Sequence, residues 1–362
     1  MRVMENTYAL IMAGGVGARF WPKSRKSLPK QYLTLVGKET LIQAVSRRLQ
    51  VIIPVDRIYV VSTKNQIPLI HAQMPWLPPS QLVIEPFGKN TAPCIGLAAL
   101  HLIRHDPEAV MMVLPSDHLI TDTEKFAQIL REAVDLVKGN PEALATIGIE
   151  PTYPATGYGY IQRGAALDLP SGKAFRVRAF AEKPTHEVAE QFFSTGEFLW
   201  NSGIFIWRAA TILHLIEDLM PDLAAGLREI DQAIGTPKEA EITERVYKQI
   251  HSDSIDYGIM EHASNVMVLE GNFGWSDVGS WQEVYKISPH DENGNILVND
   301  PIVKECRNCY IEAGGRVVAV IGAEDLIVVD TPDALLICKQ DQSQEVKWVV
   351  EKLKHSSQQK VL

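Results

Sequence analysis

Along the first two thirds of the chain, short apolar runs alternate with segments in which apolar residues repeat at helical spacing. Tyr8-Ala9-Leu10-Ile11-Met12 reads as a buried strand, and Arg57-Ile58-Tyr59-Val60-Val61-Ser62 and Gln81-Leu82-Val83-Ile84 as short strands. Ala109-Val110-Met111-Met112-Val113-Leu114 is continuously apolar, which predicts a sheet covered on both faces. Thr91-Ala92-Pro93 opens a helix with a capping residue and an early proline, running through Ile95, Leu97, Ala98 and Leu102. Phe126, Ile129, Leu130, Val134 and Val137 mark another helix, stopped by Gly139. This alternation predicts α/β architecture: a doubly wound, Rossmann-like sheet, mixed but mostly parallel.

From about residue 290 the texture changes. Asn295-Ile-Leu-Val, Cys309-Tyr-Ile, Arg316-Val-Val-Ala-Val, Asp325-Leu-Ile-Val-Val and Ala334-Leu-Leu-Ile-Cys are β-prone runs at spacings of roughly 8 to 14 residues, which predicts stacked short strands. A last amphipathic helix follows, with Val346, Val349, Val350 and Leu353 on one face. A boundary between 289 and 293 divides the chain into domains 1–290 and 291–362.

Length and composition exclude several classes. A chain of 362 residues with 46% hydrophobic content has room for two packed domains. The first residues lack a signal peptide's apolar segment and no stretch reaches the eighteen or so apolar residues of a membrane span, so a cytoplasmic protein without membrane contact is expected. Four cysteines do not make a disulfide framework, and Cys306-x-x-Cys309 has no second pair to complete a zinc site. A net charge of -9 with scattered basic residues argues against nucleic acid as a partner.

Against that acidic balance, no Asp or Glu occurs between Glu5 and Glu39, whereas Arg19, Lys23, Arg25, Lys26, Lys30 and Lys38 do. A local cationic field on an acidic protein implies a specific anionic ligand. Ala13, Gly14, Gly15 and Gly17 follow the first predicted strand, at the sheet edge where open α/β sheets bind ligands. Glycines there let backbone N–H groups approach phosphate oxygens, and Arg19 adds a charge-assisted contact. Neither common nucleotide fingerprint fits: no Gly-Lys-Ser/Thr closes the loop, and Phe20 stands where a dinucleotide pattern needs glycine. A glycine-rich turn with a solvated basic face is the competing reading. Lys23, Arg25 and Lys26 are expected to steer anions more than to touch them.

Other candidates are each open to a plainer reading. Ser116 and Asp117 follow the strand at 109–114, where a carboxylate suits Mg²⁺, although a helix cap is the alternative. Asn90 and Thr91 stand at a helix start with N–H groups available for a purine or a phosphate, or simply cap it. Glu85 precedes Pro86 at a strand end. Phe175-Arg-Val-Arg-Ala-Phe180 alternates like a half-exposed strand and delivers Glu182 and Lys183, which on the residues alone read as a surface ion pair before a proline turn. Gly157-Tyr158-Gly159 offers close backbone approach or a turn. Asn201 offers a hydroxyl contact or a satisfied core amide, and Asp277, in a loop with little periodicity, reads as an Asx-turn residue.

Taken in order, Gly-Gly-Val-Gly-Ala-Arg-Phe-Trp-Pro-x-Ser-Arg-x-x-x-Pro-Lys-Gln, Glu85-Pro-x-x-Lys-Asn-Thr-Ala-Pro, Pro115-Ser-Asp-His, Phe180-Ala-Glu-Lys-Pro, Asn201-Ser-Gly-Ile-Phe and Gly274-Trp-Ser-Asp-Val-Gly-Ser-Trp281 resemble the mannose-1-phosphate guanylyltransferase (GDP-mannose pyrophosphorylase) family across nearly the whole chain. Lys89 departs from the arginine expected there. The resemblance implies GTP and mannose 1-phosphate as substrates, GDP-mannose and pyrophosphate as products, and Mg²⁺, with Mn²⁺ as a substitute, held by Asp117 and Asp277. It implies a nucleotide site of Ala13, Gly14, Gly15, Gly17, Arg19, Lys30, Glu85, Asn90, Thr91, Ser116 and Asp117. It also implies a sugar-phosphate site of Gly157, Tyr158, Gly159, Glu182, Lys183, Asn201 and Asp277, with Arg19, Lys30, Asp117, Lys183 and Asp277 catalytic. A C-terminal segment resembling a short left-handed β-helix implies a homodimer. Two other readings are a nucleotidyltransferase for another sugar 1-phosphate and a non-catalytic regulatory relative that binds GDP-mannose. Some members append a phosphomannose isomerase domain. This chain stops at Leu362 without a His/Glu cluster after the last helix, so no isomerase activity is expected.

Overall fold

The computed structural model describes residues 4–169 and 173–362, which form two compact units. One unit comprises the chain through Gly14, Ser46–Ser116 and Ile120–Trp275; the other comprises Gly15–Val45, Asp117–Leu119 and Ser276–Leu362.

In chain order the strands up to residue 276 are β1 (Thr7–Ala13), β2 (Ile58–Thr63), β3 (Leu82–Glu85), β4 (Val110–Pro115), the two-residue β5 (Leu119–Ile120), β6 (Leu144–Ile149), β7 (Tyr160–Asp168), β8 (Lys173–Ala181), β9 (Phe198–Arg208), β10 (Val266–Glu270) and the two-residue β11 (Trp275–Ser276). Nine of them make one mixed sheet in the order β3-β2-β1-β4-β9-β6-β10-β8-β7. The block β3-β2-β1-β4 is parallel, with Leu10 opposite both Tyr59 and Val113. Parallel direction places Ala13, Glu85 and Pro115 at the carboxyl ends of neighbouring strands. β9 runs antiparallel to both β4 and β6, and this reversal makes the sheet mixed.

The runs 8–12, 57–62, 81–84 and 109–114 fall within one residue of the ends of β1, β2, β3 and β4, and near-continuous burial of β1, β2 and β4 leaves no polar interruption to blur them. Leu10, Val113, Phe205 and Trp207 share a core with Ile95 and Leu102 of the helix Thr91–His105. Phe126, Leu130 and Val134 of the helix Thr123–Gly139, fully buried outside that core, pack this helix against β4, β6 and β9. Each such buried aliphatic side chain stabilises the fold by about 1.5–3 kcal/mol. Asp122 caps the second helix, accepting from Lys125 N at 3.0 Å, so Asp117 is not needed there.

In the second unit, the strands β12 (Ile296–Val298), β13 (Ile302–Lys304), β14 (Tyr310–Glu312), β15 (Ala319–Ile321), β16 (Leu326–Asp330) and β17 (Leu335–Lys339) stack as short rungs. Ile296, Tyr310 and Ile327 line up in the parallel ladder β12-β14-β16, while β13 pairs with β15 in a second ladder. β13 escaped prediction because its side chains are not buried; Ile302 is 62% exposed. Phe20, Trp21, Trp281, Tyr310 and Ile327 form the core of this unit, and Val346, Val349, Val350 and Leu353 of the helix Val346–Lys354 pack onto it as their spacing predicts. Trp281 Nε1 donates to the Trp21 carbonyl at 3.3 Å, and Trp21 Nε1 to the Val361 carbonyl at 2.8 Å. Cys306 and Cys309 are buried free thiols that donate to the carbonyls of Val320 and Arg307.

One expectation is corrected here. Lys23 and Arg25 are not free steering charges: Lys23 Nζ lies 2.7 Å from Glu312, and Arg25 binds Asp333 at 2.8 Å and the Val361 carbonyl. Carboxylates distant in sequence capture them, and these ties fix the basic loop to the β-rich rungs.

Candidate active site

In the second unit, Gly17, Arg19, Lys30, Asp117, His118 and Asp277 line an open cleft of about 270 Å³. Gly17 has φ +72°, and a Cβ there would come within 2.3 Å of Lys30 Cβ, so only glycine lets the loop pass the lysine stem. Lys30 is 6% exposed, and its ammonium donates to Asp117 Oδ2 at 2.8 Å and to the Asp277 carbonyl at 2.7 Å. Two of its three N–H bonds are thereby directed, and one is left for a ligand oxygen. Desolvation opposes ionisation of Asp117, but Lys30 and His118 outweigh it and hold the carboxyl below its usual range. Arg19 donates to the Gly279 carbonyl at 3.3 Å.

Asp277 is set by strain. The next residue, Val278, is β-branched, fully buried and at φ 47°, a conformation that costs on the order of 1–3 kcal/mol and is held by its core contacts and by its N–H on Ser276 Oγ at 3.0 Å. Asp117, whose carboxylate holds the Lys30 ammonium, and Asp277 line the same cleft, and carboxylates suit a hard divalent ion that takes oxygen ligands and completes its shell with water and phosphate.

In the first unit, Glu85 ends β3 at 2% exposure, with Oε1 lacking a hydrogen-bond partner among the described residues. Desolvation pushes its carboxyl up to about 7, against hydrogen bonds from Tyr247 and Cys94. A Cβ on Gly14 would lie 3.9 Å from Glu85 Oε2, which puts the end of β1 beside it. At the helix start the capping reading holds: Thr91 N donates to the Asn90 side chain, Ala92 N to the Asp253 carbonyl, and Pro93 has no N–H. These amides are spent within the protein, and the side-chain oxygens of Asn90 and Thr91 accept from Thr91 N and Ile255 N at 2.9 Å each. Lys89 likewise donates to the Ile250 carbonyl at 2.9 Å, at the end of the helix Glu239–Gln249. Ser116 is buried, its N–H on the Met12 carbonyl.

A second cluster in this unit gathers Gly159, Glu182, Lys183 and Asn201. Lys183 sits at φ 48° and binds Glu182 Oε1 at 2.7 Å; Glu182 Oε2 is buried and unpartnered among the described residues. Burial of Lys183 favours its neutral form, but the Glu182 contact prevails and raises its pKa. A Cβ on Gly159 would come 2.3 Å from Glu182 Oε2, so the close approach expected at Gly157-Tyr158-Gly159 is an approach to this carboxylate. Tyr158 packs edge-on against Trp200 and Trp275. Asn201 is largely committed: its Nδ2 donates to Asp256 at 2.8 Å and its Oδ1 accepts from Thr146 and Gly203. Asp256 opens a five-residue π-helical turn, Asp256–Met260. Desolvation, then the charge of Glu182, pushes its carboxyl up to about 7. Glu261 accepts from Glu182 N at 3.0 Å. Asp256 was missed in the sequence, where an acid inside Ile255-Asp-Tyr-Gly-Ile-Met was the available signal.

Known proteins align with this chain over most of its length. Residues 8–294 match the family model for nucleotidyl transferases, and residues 300–353 that for a mannose-phosphate isomerase/GMP-like β-helix domain. A mannose-1-phosphate guanylyltransferase of Klebsiella pneumoniae is 37% identical over 96% of this chain and 74% of its own. The alginate biosynthesis protein AlgA of Pseudomonas aeruginosa is 35% identical over 95% of this chain and 71% of its own. A crystal structure described as a mannose-1-phosphate geranyltransferase from Thermus thermophilus matches with TM-score 0.85 at 30% identity, covering 96% of this chain and 99% of that one. One described as a mannose-6-phosphate isomerase from Helicobacter pylori matches with TM-score 0.61 at 25% identity, covering 75% and 99%.

Proposed function

The chain belongs to the nucleotidyl transferase family, and from that premise we propose that it transfers GMP from GTP to α-D-mannose 1-phosphate, giving GDP-mannose and pyrophosphate. The convergence of Arg19, Lys30, Asp117 and Asp277 on one cleft carries the reading, because this reaction is chiefly a problem of charge. A phosphate oxygen of the sugar attacks the α-phosphorus in line, a new P–O bond forms, and the bond to the β-phosphate bridging oxygen breaks. The nucleophile is already ionised, so no general base is required. Roughly four negative charges of the triphosphate meet two of the sugar phosphate, and positioning plus neutralisation provide most of the catalysis.

In this reading Arg19 and Lys30 hold the transferred and leaving phosphates, with the amides of Ala13, Gly14, Gly15 and Gly17 and the hydroxyl of Ser116 as neutral donors. Lys183 holds the sugar phosphate, and Glu182 and Asn201, beside the backbone of Gly157, Tyr158 and Gly159, receive sugar hydroxyls. Glu85, Asn90 and Thr91 read the base; the unpartnered Glu85 Oε1 supports this, since guanine presents N–H donors. Asp117 and Asp277 would hold Mg²⁺ or Mn²⁺, which supplies charge neutralisation on phosphate oxygens when bound. No described helix is long and apolar enough to cross a membrane. A cytoplasmic homodimer that binds no nucleic acid belongs to the same proposal.

The test is turnover. Purified protein with GTP, mannose 1-phosphate and Mg²⁺ should release pyrophosphate in step with GDP-mannose. Tight binding of GDP-mannose without turnover would favour the regulatory reading instead.

A further inference from the structure

We propose that Lys347 is a third phosphate-binding cation of the cleft and holds the outer phosphates of the nucleotide, which leave as pyrophosphate. The inference rests on reading the cleft as the site of nucleotidyl transfer. It extends that reading to a residue of the C-terminal helix, outside the motifs that carry the family resemblance.

Lys347 lines the same cleft as Arg19, Lys30, Asp117 and Asp277. Its helix, Val346–Lys354, packs against the single turn Ala18–Phe20 that bears Arg19, with Val346, Val349, Val350 and Leu353 in the same core as Phe20 and Trp21. Residue 347 follows the buried Val346 directly and is itself exposed, so the docked apolar face sets the lysine at the rim. Other lysines of this helix are engaged: Lys354 pairs with Glu351 at 2.7 Å and Lys352 lies over the Trp348 ring. Lys347 closes no ion pair among the described residues; Glu351, one turn along, feels its charge but pairs with Lys354.

Charge explains why a further cation belongs there. Arg19 and Lys30 only balance Asp117 and Asp277 within the cleft, and Lys30 is already bonded to Asp117. A triphosphate adds roughly four negative charges, and the leaving pyrophosphate gains more as its bond to the α-phosphorus breaks. Lys30, buried beside Asp117, suits the inner phosphate; an exposed, flexible ammonium at the rim suits the outer two. A hydrated point charge also lets the product go.

The test is calorimetric titration of inorganic pyrophosphate, with Mg²⁺ present, into wild type, Lys347→Met and Lys347→Arg, together with steady-state kinetics. Lys347→Met should bind pyrophosphate roughly ten- to hundredfold more weakly, as expected for a lost charge-assisted contact. It should raise the KM for GTP and leave the KM for mannose 1-phosphate unchanged, and Lys347→Arg should restore most of the affinity. Lys352→Met, on the same helix, should match wild type. Pyrophosphate affinity of Lys347→Met within twofold of wild type would overturn the assignment, as would no binding by wild type. Lys347-dependent pyrophosphate binding by a protein that turns over no nucleotide would retain the assignment while removing the proposed reaction.

Discussion

Lys30 and Asp117 lie 87 positions apart and meet at 2.8 Å, and the same ammonium reaches the Asp277 carbonyl at 2.7 Å. One buried lysine therefore joins the glycine loop to both segments that carry the candidate metal-binding carboxylates. Lys30→Met removes a phosphate donor and leaves Asp117 without its cation. It should lower kcat by at least about a hundredfold, since each lost charged contact at such a site is worth roughly 1.5–3 kcal/mol and two are lost together. Steady-state kinetics beside a thermal melt will check this; kcat within tenfold of wild type would contradict it.

The two phosphate grips should separate kinetically. Lys183, paired with Glu182 and half exposed, is assigned to the sugar phosphate, whereas Arg19 lines the cleft with Asp117. Lys183→Ala is expected to raise the KM for mannose 1-phosphate about tenfold or more, and Arg19→Ala to act chiefly on kcat. A Lys183→Ala variant altered only in its KM for GTP would reverse the assignment.

Asp256 links the cluster around Glu182 and Asn201 to stability. Its folded carboxyl titrates at about 7, pushed up by desolvation and then by Glu182, whereas an unfolded aspartate titrates near 3.9. Between those values the folded protein keeps a proton the unfolded chain has released, so this stabilisation is present at low pH and is lost as pH rises towards and through 7. Asp256→Asn removes the titration. Relative to wild type its Tm should therefore be higher at pH 8 than at pH 5, by an amount reflecting roughly 1–4 kcal/mol. Parallel Tm curves for the two proteins would contradict it.

Much of this was legible in the residues themselves. The strands ending at Ala13 and Pro115 announced themselves because continuous apolarity is what burial on both faces requires. The helix Thr123–Gly139 kept its periodicity and its glycine stop. The basic run marked the cleft, but not the partners that divide it: Glu312 and Asp333 lie 289 and 308 positions from Lys23 and Arg25, and nothing local encodes such pairings. Asp256 and Lys347 were hidden for the same reason. The first acquires meaning only against Asn201 and Glu182, and the second only through the docking of its helix beside Arg19.

The carboxylate pair makes a metal prediction. Asp117→Asn and Asp277→Asn keep shape and remove charge, so each should lower turnover steeply while the Tm without nucleotide moves by only a few degrees. EDTA should abolish turnover, and Mg²⁺ or Mn²⁺ should restore it. Full activity of either variant, or activity unaffected by EDTA, would remove the ion from the account.

The central claim concerns which anions the protein joins. In the proposed reading, discrimination between bases would rest on hydrogen bonds whose loss leaves a buried group such as Glu85 Oε1 unpaired, at about 1–3 kcal/mol each. The direct measurement is kcat/KM from pyrophosphate release over a matrix of GTP, ATP, UTP and dTTP against mannose, glucose and galactose 1-phosphates. The highest value should fall on GTP with mannose 1-phosphate, by tenfold or more over any other pair. A higher value for UTP or dTTP, or for glucose 1-phosphate, would contradict it.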